Sequence, residues 1–97
     1  MEVGMRYAKR TDTNHQAIRT ALRNDGWTVH DFSGVGQGCP DFAVEKGERV
    51  VWLEVKDGEK PPSARKLTTK EELWHALLKR GGMDVRVIEN AADVASL

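Results

Sequence analysis

Three charged residues with a fixed spacing are the part of this sequence best suited to chemistry. Asp41 is followed thirteen residues later by the segment Glu54-Val55-Lys56. Side chains two apart in a strand lie on the same face of a sheet, so we expect Glu54 and Lys56 to share one face. If the two segments belong to the two strands of a hairpin, Asp41 lies beside both of them. Two carboxylates this close repel each other unless a cation lies between them.

A divalent metal ion would satisfy this arrangement. Mg²⁺ prefers oxygen ligands and needs only one or two protein carboxylates, which Asp41 and Glu54 supply, helped by the backbone carbonyl of Val55. A bound metal lowers the pKa of a water and neutralises charge on a phosphoryl oxygen, and Lys56 is placed to orient or deprotonate that water. Hydrolysis of a phosphodiester bond suits these groups. The alternative is a surface ion-pair set, worth about 0–1 kcal/mol.

The surrounding sequence predicts the elements that must position these residues. Apolar residues recur at helical spacing in two segments, and alternate with a period of two in others. The first half of the chain is predicted to form a helix over 12–25, a strand over 27–32, a glycine-rich loop over 33–38 and a hairpin with strands over 41–45 and 48–56 and a turn at Lys46-Gly47. The second half is predicted to form an exposed loop over 57–66, a helix over 68–80, a strand over 83–88 and a last helical turn within 90–97. The second helix is predicted to carry Leu73, Trp74, Leu77 and Leu78 on one face. We therefore predict an α/β fold with the order αβββαβ.

Length and composition restrict the class of protein. With 97 residues, 39% of them hydrophobic and 31% charged, the chain is expected to form one domain over 1–97. Its formal net charge is zero, which excludes a uniformly basic nucleic-acid-binding surface. The single cysteine, Cys39, excludes an internal disulfide and a zinc site built on paired cysteines. We find no apolar run long enough to span a membrane and expect a cytoplasmic protein.

The motif resembles a known nuclease family. Pro40-Asp41 followed by Glu54-x-Lys56 is similar to the PD-(D/E)XK nucleases, and Gly38-x-Pro40-Asp41 with Glu-Val-Lys resembles their virus-type replication-repair nuclease (VRR-NUC) branch. The resemblance covers nearly the whole chain and includes Ile18, Leu22 and Gly26, Leu67-Thr68, Trp74-His75 and the strand from Gly82 to Ile88.

This resemblance implies a restriction-endonuclease-like αβββαβ core, with a central mixed sheet flanked by helices. It implies Asp41 and Glu54 as ligands of Mg²⁺ or Mn²⁺ and Lys56 as the catalytic lysine. It also implies a homodimer that cuts structured DNA, in some members four-way junctions.

Two positions depart from the family pattern. Where the family often has a glutamate in the first helix, this chain offers Asp12, Asn14 or His15 as the outer ligand. Where many members have a glutamine early in the second helix, it has Glu71-Glu72, and we prefer Glu72 as the counterpart. Thr68 stands three residues before Glu71, which favours a capping role for Glu71.

Further residues are candidates for contact with nucleic acid. The loop cations Lys60, Arg65 and Lys66 follow the catalytic strand and are either solvated charges or phosphate contacts. Gly36 and Gly38 let the backbone turn or approach DNA closely. Two other functions remain open at this point: a non-catalytic DNA-binding module with a nuclease-like fold, and a nuclease that acts on RNA.

Overall fold

A computed structural model describes residues 14–97 as one sheet with a helix on each face. The predicted helix residues 12 and 13 lie outside the described residues. The elements are α1 over 14–24, β1 over Thr28–Asp31, β2 over Phe42–Lys46, β3 over Arg49–Val55, a 3₁₀ turn over Pro62–Arg65, α2 over Thr69–Arg80, β4 over Asp84–Ile88 and a 3₁₀ helix over Ala91–Ser96. Within residues 14–97, no helix is both long and apolar enough to cross a membrane.

The four strands form a mixed sheet in the order β1-β2-β3-β4. The first three strands pair antiparallel, and β4 runs parallel to β3. A parallel neighbour requires a crossover connection, and α2 supplies it. The predicted order αβββαβ and the mixed sheet are confirmed.

The β2–β3 hairpin closes through Gly47 and Glu48, because Lys46 pairs with Arg49. The predicted turn at Lys46-Gly47 is therefore wrong by one residue. Gly47 has a φ of 62°, a left-handed value that residues with a Cβ seldom adopt, and this places it inside the turn.

The two faces of β3 have different surroundings. Val51, Leu53 and Val55 are buried in the apolar core. That core also contains Ile18, Leu22, Trp27, Phe42, Val44, Ile88 and Val94. Glu54 points to the opposite face, where α2 lies. The alternation along β3 therefore separates an apolar layer from the layer that holds the charged residues.

The inner face of α2 differs from the predicted leucine stripe. Leu73 and Leu77 are 60% and 54% exposed, whereas His75 is buried. Glu71, Trp74, His75 and Leu78 are the least exposed positions, and their spacing of three and four residues defines one helical face. The prediction was wrong for Leu73 and Leu77 because α2 is rotated to bring polar groups toward Glu54.

Both ends of α2 are capped as predicted. The Thr68 side chain accepts a hydrogen bond from the Glu71 N–H, and the Glu71 carboxylate accepts one from the Thr68 N–H, which makes a capping box. Gly81 ends the helix. The start of α2 is therefore held in place beside the end of β3.

The loop between β1 and β2 is attached to α2 through Gln37 and Gly38. Trp74 Nε1 donates to the Gln37 carbonyl at 3.0 Å, and Lys70 Nζ donates to Gln37 Oε1 at 2.7 Å. Gly38 has a φ of 85°, and a Cβ there would lie 2.6 Å from the Lys70 carbonyl carbon and oxygen. This close approach requires glycine.

We expect Gly38→Ala to destabilise the protein by about 2–4 kcal/mol, from a left-handed backbone combined with a steric clash. Gly36→Ala is the matched control, because Gly36 has a φ of 75° but a Cβ there meets nothing within 4 Å among the described residues. Its expected cost is about 1 kcal/mol. Urea denaturation measures the free energy of unfolding of both variants. Equal losses of stability in the two variants would contradict the packing role of Gly38.

Candidate active site

Asp41 and Glu54 lie opposite each other where the hairpin ends. The register pairs Phe42 with Leu53, so the next position along the strands places Asp41 beside Glu54. Their carboxyl groups share a hydrogen bond. The Val55 N–H donates to Asp41 Oδ2 at 2.8 Å. Val55 thus touches the pair through its N–H, and the ligand role of its carbonyl stays a prediction.

Glu54 is the buried member of this pair. It is 3% exposed, and its Oε1 has no hydrogen-bond partner among residues 14–97. Burial, and then the neighbouring Asp41, raise the pKa of Glu54 to about 9. At neutral pH the metal-free site therefore holds a proton on Glu54, and binding of a metal ion requires its release.

Helix α1 brings His15 to the other side of Asp41. His15 Nε2 is 3.3 Å from Asp41 Oδ1, and its ring packs edge-on against Phe42 with a centroid distance of 5.7 Å. Burial alone would raise the pKa of Asp41. The hydrogen bonds from His15 and the Val55 N–H outweigh burial and hold that pKa below its ordinary value. Asp41 is therefore the ionised member of the pair.

The three candidates for the outer ligand have different positions. His15 is the one in contact with Asp41. Asn14 Nδ2 instead donates to the carbonyls of Lys56 and Glu89, at 3.1 and 3.3 Å, and ties α1 to the ends of β3 and β4. Asp12 lies outside the described residues. Among residues 14–97, His15 is thus the better candidate for an outer position.

Lys56 lies on the α2 side of the sheet and forms an ion pair with Glu71. Lys56 Nζ is 2.8 Å from Glu71 Oε1, and the two side chains are 14% and 17% exposed. The same oxygen accepts the Thr68 N–H at 2.9 Å. Although burial raises the pKa of Glu71, these two donors outweigh it and lower that pKa. The capping residue therefore also fixes the lysine.

The structure corrects the choice of Glu72 as the second-helix residue of the site. Glu72 is exposed, whereas the neighbouring Glu71 reaches Lys56. Successive residues of a helix are rotated by about 100°, and this rotation turns Glu72 toward solvent while Glu71 faces the sheet. Glu71 therefore combines the predicted capping role with a contact in the site.

Sequence reasoning missed His75, which lies one turn after Glu71 on the same face of α2. His75 is 5% exposed, and its Nε2 is 3.6 Å from Glu54 Oε1. Burial, and then Lys79, lower the pKa of His75, so its ring is neutral at pH 7. The available signal was the four-residue spacing from Glu71, which places both residues on one helix face.

The three cations of the loop after β3 differ in their contacts. Lys60 and Lys66 are exposed, and Lys60 lines a cleft of about 560 Å³ that opens beside His15 and Lys56. Arg65 Nη1 donates to both carboxylate oxygens of Glu89, at 3.1 and 3.3 Å. A phosphate would have to compete with Glu89 for Arg65, so Lys60 and Lys66 are the better candidates for contact with a phosphate.

The two loop glycines also differ. Gly36 is exposed, so its backbone is open to a ligand, whereas Gly38 packs against the start of α2. A packing role accounts for Gly38 without contact to nucleic acid. Cys39 is half-buried, and burial raises the pKa of its thiol, as do the nearby Asp41 and Glu54. Its thiol is therefore a poor nucleophile.

The donor set of this site fits Mg²⁺ or Mn²⁺. Within residues 14–97, no three or more His, Cys, Asp or Glu side chains form a cluster able to hold a metal ion. Asp41 and Glu54 supply two carboxylates, and Glu54 Oε1 is buried without a hydrogen bond among the described residues. Mg²⁺ takes one or two carboxylates and keeps several waters, so two carboxylates suffice.

Comparison of the chain with family models, curated proteins and solved structures finds no match. The similarity to the VRR-NUC nucleases therefore rests on the residues of the motif and stays a prediction.

Proposed function

We propose that this protein is a metal-dependent DNA endonuclease that hydrolyses phosphodiester bonds. The observation that carries the proposal is the meeting of Asp41 and Glu54 at one end of the sheet, with the anchored Lys56 on the α2 side. Two carboxyl groups in contact, one of them buried, form a costly arrangement for a purely structural role. A divalent cation would take the place of the Glu54 proton and offset the repulsion between the two ionised carboxylates.

Each residue has a distinct task in this proposal. Asp41 and Glu54 hold the metal ion, which when bound supplies charge neutralisation at the phosphate and a more acidic water. Lys56, held in its ion pair with Glu71, orients the attacking water. His15 keeps Asp41 ionised through its hydrogen bond. The lysines of the loop, Lys60 and Lys66, contact phosphates and position the nucleic acid without reading its sequence.

The favoured substrate is branched DNA, including four-way junctions. One chain carries one such site, and symmetrical cleavage of a junction requires two, so the proposal includes a two-fold homodimer. RNA is the alternative substrate, because metal-assisted hydrolysis needs no 2′-hydroxyl.

A panel of labelled substrates tests this function. We expect the parent protein to cut four-way junction or flap DNA in Mg²⁺ or Mn²⁺, and Asp41→Ala to lower the rate by at least about 10³-fold, since a metal ligand is lost. Glu72→Ala is the matched control, because that acidic residue is exposed. It should cut at the parent rate. Duplex and single-stranded DNA and RNA in the same panel rank the substrates.

Binding without cleavage would favour the second candidate, a non-catalytic DNA-binding module. The observation in its favour is that the described residues contain no third acidic ligand at the pair. A parent protein that binds junction DNA in EDTA and cuts nothing in either metal would establish it over the nuclease.

A further inference from the structure

A buried histidine lies against the buried carboxyl group of the site. Glu54 Oε1 and His75 Nε2 are 3.6 Å apart, and neither atom has a hydrogen-bond partner among residues 14–97. Their side chains are 5% and 6% exposed, so water has little access to either. Buried polar atoms are usually hydrogen-bonded, which makes two facing atoms without bonds an unusual feature.

Resting on the proposed nuclease function, we propose that His75 is a positioning residue that orients the Glu54 carboxylate for metal binding. The Glu54 carboxyl group contacts Asp41 and also faces His75. The metal ion would be held by Asp41 and Glu54, while the imidazole N–H donates to Glu54 Oε1. His75 then acts through Glu54 and does not touch the substrate.

Hydrogen-bond geometry supports this role. A separation of 3.6 Å exceeds the usual limit of about 3.2 Å for an N–H···O bond, so the pair needs a movement of about half an ångström to bond. A carboxylate bound to a metal ion carries negative charge, and hydrogen bonds to charged oxygens are the stronger and shorter ones. The hydrogen bond from His75 to Glu54 is therefore expected to be strongest when the metal is bound.

Packing alone does not explain the histidine. A buried imidazole with an unsatisfied nitrogen costs free energy that an apolar residue of similar size would avoid. Helix α2 nevertheless holds His75 in place, because its start is fixed by the capping box and by the Trp74 bond to Gln37. A rigid element that supports a second layer of donors is a recurrent feature of metal sites.

Mn²⁺ binding to the full chain tests this inference, with free Mn²⁺ measured by electron paramagnetic resonance. We expect His75→Leu to weaken Mn²⁺ binding about 10- to 100-fold, the usual effect of losing a donor behind a metal ligand. His75→Gln keeps an N–H near the Nε2 position, and its Mn²⁺ affinity should fall by less than about threefold. Leu77→Ala, a control at an α2 position that is 54% exposed, should bind Mn²⁺ within about twofold of the parent.

Denaturation without metal separates this role from a structural one. His75→Leu removes an unsatisfied polar atom, so the metal-free variant should be at least as stable as the parent. His75→Met provides a second apolar variant should the leucine fail to fold. Unchanged Mn²⁺ affinity in the folded apolar variant, or an equal loss of affinity in Leu77→Ala, would overturn the role of His75 and leave the nuclease standing. A parent protein that binds no Mn²⁺ would overturn both.

Discussion

Glu54→Gln is expected to abolish metal-dependent cleavage and, at the same time, to stabilise the metal-free protein at pH 8. The amide removes a charged oxygen ligand, so we expect cleavage to fall by at least about 10³-fold. The same amide can donate to Asp41 as the protonated carboxyl group does. Loss of activity together with a gain in stability is the signature of a residue kept for function.

The sign of the stability effect follows from the raised pKa of Glu54. Below its unfolded pKa of 4.5, the carboxyl group is protonated in both states. As the pH rises toward about 9, the unfolded chain ionises while the folded chain holds its proton, so the parent loses stability. From pH 5 to pH 8 this loss is on the order of 4 kcal/mol.

Urea denaturation of the parent and of Glu54→Gln at pH 5 and pH 8 measures this contribution. The free energy of unfolding of the variant, relative to that of the parent, should be on the order of 4 kcal/mol more favourable at pH 8 than at pH 5. Titratable groups distant from Glu54 contribute equally to both proteins and cancel in the difference. A difference that does not change with pH would contradict a protonated Glu54.

Lys56→Met is expected to lower the single-turnover cleavage rate by about 10²- to 10⁴-fold with little change in Mn²⁺ affinity. The lysine supplies no oxygen ligand, and its role is to orient the attacking water. Single-turnover cleavage and Mn²⁺ titration of the same preparation separate the two effects.

Lys79→Met is the control for this change, because Lys79 is an exposed lysine near the far end of α2. It should cut at the parent rate. Lys56→Met leaves Glu71 with the Thr68 N–H as a remaining donor, so α2 should keep its cap. Cleavage by Lys56→Met at the parent rate would remove the lysine from the mechanism.

The sequence allowed the proximity of Asp41 to Glu54 to be predicted, because it follows from local rules. A hairpin places residues at equal distances from its turn opposite each other, and one residue of error in the turn still leaves Asp41 near Glu54. The αβββαβ order was likewise readable from periodicity and from the proline-containing loop that ends the sheet.

Contacts between distant segments were not predictable in the same way. The choice between Glu71 and Glu72 depends on the rotation of α2 about its axis, which packing against the sheet determines. The approach of His75 to Glu54 and of Arg65 to Glu89 depends on the same packing. The hydrophobic spacing predicted that Leu73 and Leu77 face the sheet, because it assumes that the inner face of α2 is apolar. The inner face of α2 instead carries Glu71 and His75.

Restoration of cleavage by a metal ion tests the central claim most directly. Chelated parent protein is mixed in excess with labelled four-way junction DNA, and Mg²⁺ is added back in steps beside Asp41→Ala. The account predicts no cleavage in EDTA, cleavage by the parent that saturates with Mg²⁺, and none by the variant. Cleavage that persists in EDTA, or a variant that cuts as fast as the parent, would contradict a metal site at Asp41 and Glu54.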